Sequence, residues 1–282
     1  MVTPQIVQEK FYSVALRREK RVNVVLPTKY GNENHSVLFL LHGFGGNRDS
    51  WIQNTDLLSL IRPYDLIVVL PESGRRWFIN DIEGYRYEDY LVRELIAFVD
   101  SKFRTLPNRG ERAIAGFSMG GAAAVFQAFR HPELFSVVAS HAGAFEAPLR
   151  VGDPYENLRW NRDFLMPTVE MHERVWGPVG SPIRCEYDPS LILSKSDERF
   201  PFSLYLDVGK DDYERVLQMN RNFHNLLRQC GIDHEYHEVA GGHDWQYLDH
   251  AFRASLEFIV SRFQSRTPAK SLGRSNNQEK EK

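Results

Sequence analysis

The stretch Gly116-Phe117-Ser118-Met119-Gly120-Gly121 constrains this chain more than any other. Ala113-Ile114-Ala115 before it reads as a buried strand and Ala122 to Arg130 after it as a helix, so the chain passes from strand to helix across one serine. A turn that tight forces the serine into a strained backbone conformation, and glycines on either side remove the Cβ atoms that would collide. The hydroxyl then projects above a sheet edge. A glycine-flanked serine alone is a weak pattern, and its meaning depends on the strands, helices and polar residues around it.

Those surroundings alternate. Gln5 to Leu16 and Arg21 to Leu26 read as two strands of an edge hairpin joined by a charged turn. Val37 to Leu41 and Leu66 to Leu70 are continuously apolar, as in strands buried on both faces of a sheet, with a helix expected over Trp51 to Ile61 between them. Tyr87 to Phe103 has apolar residues at helical spacing before the serine turn, and Phe135 to Ala139 reads as a strand after it. Ser203 to Val208 and His234 to Val239 are further strands, followed by helices over Glu214 to Cys230 and His250 to Phe263. Strand and helix in alternation predict a mostly parallel α/β sheet with crossover helices. Ala144 to Pro201 departs from the pattern and is expected to carry short helices, among them 157–165 and 169–175. Residues 266–282 are polar and aperiodic and are expected to be disordered.

Composition removes several functions. The 282 residues are 42% hydrophobic and 26% charged, and a formal charge of -2 with a pI near 6.6 gives no field for nucleic acid or an anionic membrane. Neither partner is expected. Cys185 and Cys230 read as free thiols; no Cys/His spacing suggests a metal, and no cofactor is implied. With polar residues over Met1 to Lys10 and no long apolar run, the expected location is cytoplasmic, and the oligomeric state is left open.

A serine made nucleophilic needs a base, and the base an acid. The last strand ends in Ala240-Gly241-Gly242-His243-Asp244, which makes His243 the candidate base; His141, at the end of the strand beside the elbow, is its rival. Ser203 to Val208 leads into Gly209-Lys210-Asp211-Asp212. Spacing favours Asp212 over Asp211, while Asp207, inside the strand, suits a structural hydrogen bond. An oxyanion would be held by two backbone N–H groups, that of Met119 after the serine and that of Phe44 in the loop His42-Gly43-Phe44-Gly45-Gly46-Asn47. Trp77 with Phe78 could crowd an acyl pocket. Trp160 and Trp176, with Phe164 and Met166, read either as one of its walls or as a satellite core.

Together these residues resemble the esterase family within the α/β-hydrolases, which includes tributyrin, feruloyl and acetylxylan esterases, S-formylglutathione hydrolases and mycolyltransferases. The resemblance spans about Phe11 to Phe263. It rests on Leu40 to Gly43 with Asn47 and Trp51, Gly84 to Tyr90, Gly116 to Gly121, His131 to Phe135, and Gly241 to Trp245. It implies an α/β-hydrolase fold, with a mostly parallel central sheet, helices on both faces and an N-terminal antiparallel edge hairpin. Residues 1–265 would form one domain with 144–201 as an insert. The family's catalytic serine, acid and histidine match Ser118, Asp212 and His243, and its oxyanion donors Phe44 and Met119. The implied activity is hydrolysis of a small short-chain ester through an acyl-enzyme. Phe117 at the elbow and Phe44 in the oxyanion loop depart from the S-formylglutathione hydrolase pattern, which counts against that thioesterase activity; it stands as an alternative with a feruloyl or acetylxylan esterase, an acyltransferase and a non-catalytic binder.

Overall fold

A computed structural model of the chain describes residues 3–146, 169–195 and 200–264. The helix expected over 157–165, the tail 266–282, and Trp160, Phe164 and Met166 lie outside the described residues.

Eight strands form one sheet: β1 (Gln5–Ser13), β2 (Arg18–Leu26), β3 (Ser36–Leu41), β4 (Leu66–Leu70), β5 (Arg112–Phe117), β6 (Val137–His141), β7 (Ser203–Gly209) and β8 (Glu235–Val239). Their order is β1-β2-β4-β3-β5-β6-β7-β8. β2 pairs antiparallel with both β1 and β4, and every later pairing is parallel, so β2 alone is reversed. The hairpin turn falls three residues earlier than its sequence suggests, over Val14 to Arg17 rather than Arg17 to Lys20. β1 stops at Ser13, and Arg17 closes the turn with its N–H on Val14 O at 3.3 Å and φ 53°.

Side-chain alternation divides the core in two. Val37, Phe39 and Leu41 of β3 face the helices Met119–Arg130 and Glu214–Gln229 and the helical run Tyr87–Asp89, Tyr90–Leu95, Ile96–Lys102. Leu38 and Leu40 face Trp51, the short helix Leu57–Ile61 and the long helix Trp245–Gln264. Helices therefore cover both faces, as alternation requires of a buried parallel sheet.

Three helices differ from their apolar pattern. The segment expected as one helix over 51–61 is two, Ser50–Asn54 and Leu57–Ile61, because Thr55 turns its hydroxyl back to Trp51 O at 2.6 Å and goes extended. Tyr90–Leu95 is a π turn within its helix. The last helix starts at Trp245, with Asp244 Oδ1 accepting the Tyr247 N–H at 2.8 Å. Between 169 and 195 the chain forms Val169–Trp176, Pro182–Tyr187 and Pro189–Lys195, which bury Val175, Trp176, Tyr187 and Leu193 in the same core as the Met119–Arg130 helix.

Candidate active site

Parallel strands deliver their following loops to one edge, and four such loops meet over β5. The turn after β5 places Ser118 at φ 55°, ψ -115° as the helix Met119–Arg130 begins. Two glycines make this possible. A Cβ on Gly116 would lie 2.4 Å from the Gly120 carbonyl, and one on Gly120 would lie 2.4 Å from His42 O, so β5, the helix and β3 approach to backbone contact. The Ser118 N–H is held by His141 O at 2.8 Å, which fixes the strained residue from below.

The loops after β7 and β8 are tied to each other, Lys210 N–H to Val239 O at 2.7 Å and Asp211 N–H to Gly241 O at 3.0 Å. On that shared support Asp212 is buried and Asp211 exposed. His243 Nδ1 donates to Asp212 Oδ2 at 2.9 Å, and Ser118 Oγ donates to His243 Nε2 at 2.9 Å. The rings of Phe117 and Tyr213 lie 4.7 and 5.7 Å from that of His243 and hold its plane. The structure thus brings Ser118, His243 and Asp212 together and leaves Asp211 out.

His141 takes no part in this chain. It is fully buried, its Nδ1 bonded to Asp207 at 2.9 Å and its Nε2 3.0 Å from Ser255 Oγ. Asp207 also accepts the Tyr247 hydroxyl.

The N–H groups of Phe44 and Met119 bond to no carbonyl among the described residues. The Phe44 amide shares a planar peptide with the Gly43 carbonyl, and that carbonyl is pinned. His42 Nδ1 donates to Gly43 O at 2.7 Å, while His42 Nε2 accepts the Ser73 N–H at 2.9 Å. A backbone N–H can only donate, so His42 is the neutral Nδ1–H tautomer. Burial pushes its pKa down to about 4, outweighing the upward pull of the Gly43 carbonyl. In the sequence His42 is one residue of the loop that supplies the Phe44 amide, and no local signal marks it as a strut, because Ser73 reaches it only through the fold.

Trp77 is 2% exposed, its ring 6.3 Å from that of Phe44 and 5.6 Å from that of Trp176. Trp176 is fully buried behind it against Phe126 and Tyr187. Cys185 and Cys230 are free and exposed. Among the described residues no group of three or more His, Cys, Asp or Glu is placed to hold a metal, and no helix is long and apolar enough to cross a membrane.

Known proteins resemble this chain in sequence and in fold. An acetyl esterase of Caldicellulosiruptor saccharolyticus is 28% identical over 269 residues, 90% of this chain and 97% of its own. The structure of FphF, a fluorophosphonate-binding serine hydrolase of Staphylococcus aureus, superposes with a TM-score of 0.78 at 23% identity, covering 91% of this chain and 98% of its own. An S-formylglutathione hydrolase of Agrobacterium tumefaciens gives a TM-score of 0.79 at 18% identity, over 93% and 97% of the two chains. The sequence model of the family described as "Putative esterase" matches residues 13–263. With that match, and with the sheet and helices of the α/β-hydrolase fold, the chain belongs to the esterase family.

Proposed function

We propose that this chain is a serine carboxylesterase that hydrolyses short-chain acyl esters, with Ser118 as nucleophile, His243 as general base and Asp212 as its acid. The observation that carries the reading is the hydrogen-bonded chain Asp212–His243–Ser118 beside two uncommitted amides. Ser118 Oγ attacks the ester carbonyl carbon as His243 Nε2 takes its proton, and Asp212 stabilises the imidazolium. The carbonyl oxygen becomes an oxyanion held by the Phe44 and Met119 N–H groups, the second at the positive end of a helix. His243 then protonates the leaving alcohol, and water repeats the sequence on the acyl-enzyme.

Two observations support a short acyl group: a relative named acetyl esterase, and the Phe44, Trp77 and Trp176 rings packed in series beside the oxyanion loop. A long apolar tunnel would gain about 0.8 kcal/mol for each further CH₂, so a lipase becomes more efficient with chain length. Here kcat/KM for 4-nitrophenyl esters is expected to peak from acetyl to butyryl and fall by octanoyl. S-formylglutathione should be turned over no better than these. Its preference by more than about a hundredfold, near 2.7 kcal/mol, would replace this reading with a thioesterase.

A further inference from the structure

We propose that a groove beside the oxyanion loop binds the anionic end of the substrate, so that the preferred esters carry a carboxylate or phosphate about 10 Å from the bond cleaved. The inference rests on the serine esterase reading above and narrows its substrate class.

Topology puts this groove on the reactive edge. β4 lies two strands from β5, about 10 Å at ordinary strand spacing, and Glu72 to Arg76 leave its carboxyl end. Because β2 is reversed, pairing Asn23 with Leu70, its first residues Arg18 and Lys20 arrive at the same edge. The oxyanion loop is joined to this floor through the Gly45 N–H on Gly74 O at 2.9 Å.

Charge in the groove is unbalanced. Arg18, Lys20, Arg75 and Arg76 line it with one carboxylate, Glu72. Glu72 is already shared by Lys20 at 3.4 Å and Arg48 at 2.7 Å, and Arg76 is held by Asp81 and Glu83 at 2.9 and 2.7 Å. Arg18 donates to the Tyr87 hydroxyl, and Arg75 lies 5.5 Å from the Phe44 ring. Neither guanidinium has a carboxylate partner among the described residues. Ser73, 4% exposed, also lines the groove, and its Oγ has no hydrogen-bond partner. Two planar cations that no carboxylate neutralises and an orphaned buried hydroxyl are completed by the oxygens of one anion. In a chain of net charge -2 this is a local field aimed beside the reacting serine.

The test compares 6-acetoxyhexanoate with its methyl ester, two acetyl esters that differ in the remote charge. At low salt the wild type should favour the anion about tenfold in kcat/KM, equivalent to about 1.4 kcal/mol. The ratio should fall towards one in 1 M NaCl, where the Debye length is about 3 Å, and in the Arg18→Gln/Arg75→Gln protein. Running 5-acetoxypentyl phosphate alongside tells which anion fits better, and a tenfold preference for either supports the proposal. A wild-type ratio of one for both anions overturns it, as does a preference that survives in the double variant. Equal hydrolysis of charged and neutral esters sinks this proposal alone, whereas no hydrolysis of any sinks the esterase reading.

Discussion

Among the described residues two sets of serine, histidine and aspartate are hydrogen-bonded, and one of the two faces the edge where the loops after β3, β5, β7 and β8 meet. In Ser118, His243 and Asp212 the successive distances are 2.9 and 2.9 Å; in Ser255, His141 and Asp207 they are 3.0 and 2.9 Å. The second set is wholly buried. Its carboxylate is also spent on Tyr247, which pulls the Trp245–Gln264 helix onto β7, and burial beside Asp207 drives the Tyr247 phenol well above its ordinary pKa. Its serine sits inside a regular helix, where neighbouring N–H groups are taken by the helix itself. Ser118 instead stands at a helix start, with an uncommitted amide after it and another across from it. The trio of residue types sets up proton transfer, and in the proposed site it is partial exposure with free donors that distinguishes Ser118 from Ser255.

The contrast breaks if the two sets respond alike to mutation. Ser118→Ala is expected to cost about a million-fold in kcat with an unchanged melting temperature. Ser255→Ala should cost about 1 kcal/mol of stability and leave turnover close to wild type. Ester hydrolysis and thermal unfolding of the two proteins, measured side by side, decide it.

The acids should separate next. Asp212→Asn favours the wrong imidazole tautomer and should lower kcat about ten-thousand-fold while the fold holds. Asp207→Asn keeps one acceptor oxygen but replaces the other by an NH2 donor among buried groups that need an acceptor, a loss of about 1–3 kcal/mol visible in urea unfolding. Asp211→Asn, exposed and outside both sets, should do neither. If Asp211→Asn matched Asp212→Asn in kcat, the acid would have to be reassigned.

The smallest effects belong to His42, a third buried histidine that shares neither role. His42→Gln keeps an acceptor for Ser73 but loses the donor to Gly43; kcat should fall about tenfold to a hundredfold with little change in KM, since removing a whole oxyanion donor costs about 10² to 10³. His42→Asn keeps a donor near the Nδ1 position and should recover most of that loss. pH adds a second reading. Burial lowers this imidazole to about 4 from 6.5, so the unfolded chain takes up the proton first. The associated stability is complete above pH 6.5 and disappears as pH falls towards 4, at most about 3 kcal/mol. Urea midpoints at pH 7 and pH 4.5 should therefore differ less in His42→Asn than in wild type.

Much of this was legible in sequence because each signal was local. Wholly apolar runs marked the buried strands, and the glycines before Asp212 and His243 marked loops that turn back over β5. Strand ends were legible only approximately: Phe135 packs in the core before its strand, and β6 runs from Val137 to His141. The helix break at Thr55 depends on a hydroxyl that competes with the backbone, which an apolar pattern does not register. The pairing of His141 with Asp207, residues 66 apart, and the strut from His42 to Ser73 exist only once β3, β4, β6 and β7 are adjacent. Nothing local announces such contacts.

Trp77 and Phe78 are consecutive left-handed residues, at φ 56° and 54°, and neither is glycine. Each such conformation costs about 1–3 kcal/mol, which glycine would relieve. Yet the Trp77 ring neighbours Phe44, the Phe78 ring lies 5.2 Å from that of His42, and the Phe78 carbonyl accepts from Gln127 of the elbow helix at 2.8 Å. Emptying either ring volume costs about 3–5 kcal/mol, more than the backbone would regain. For a drifting gene this makes the loop a ratchet: relaxing the backbone through glycine leads downhill in fitness before any new packing can arise. Descendants of this chain should therefore exchange aromatic for aromatic at these two positions, while the exposed Arg75 beside them is free to change with the ester that selection favours.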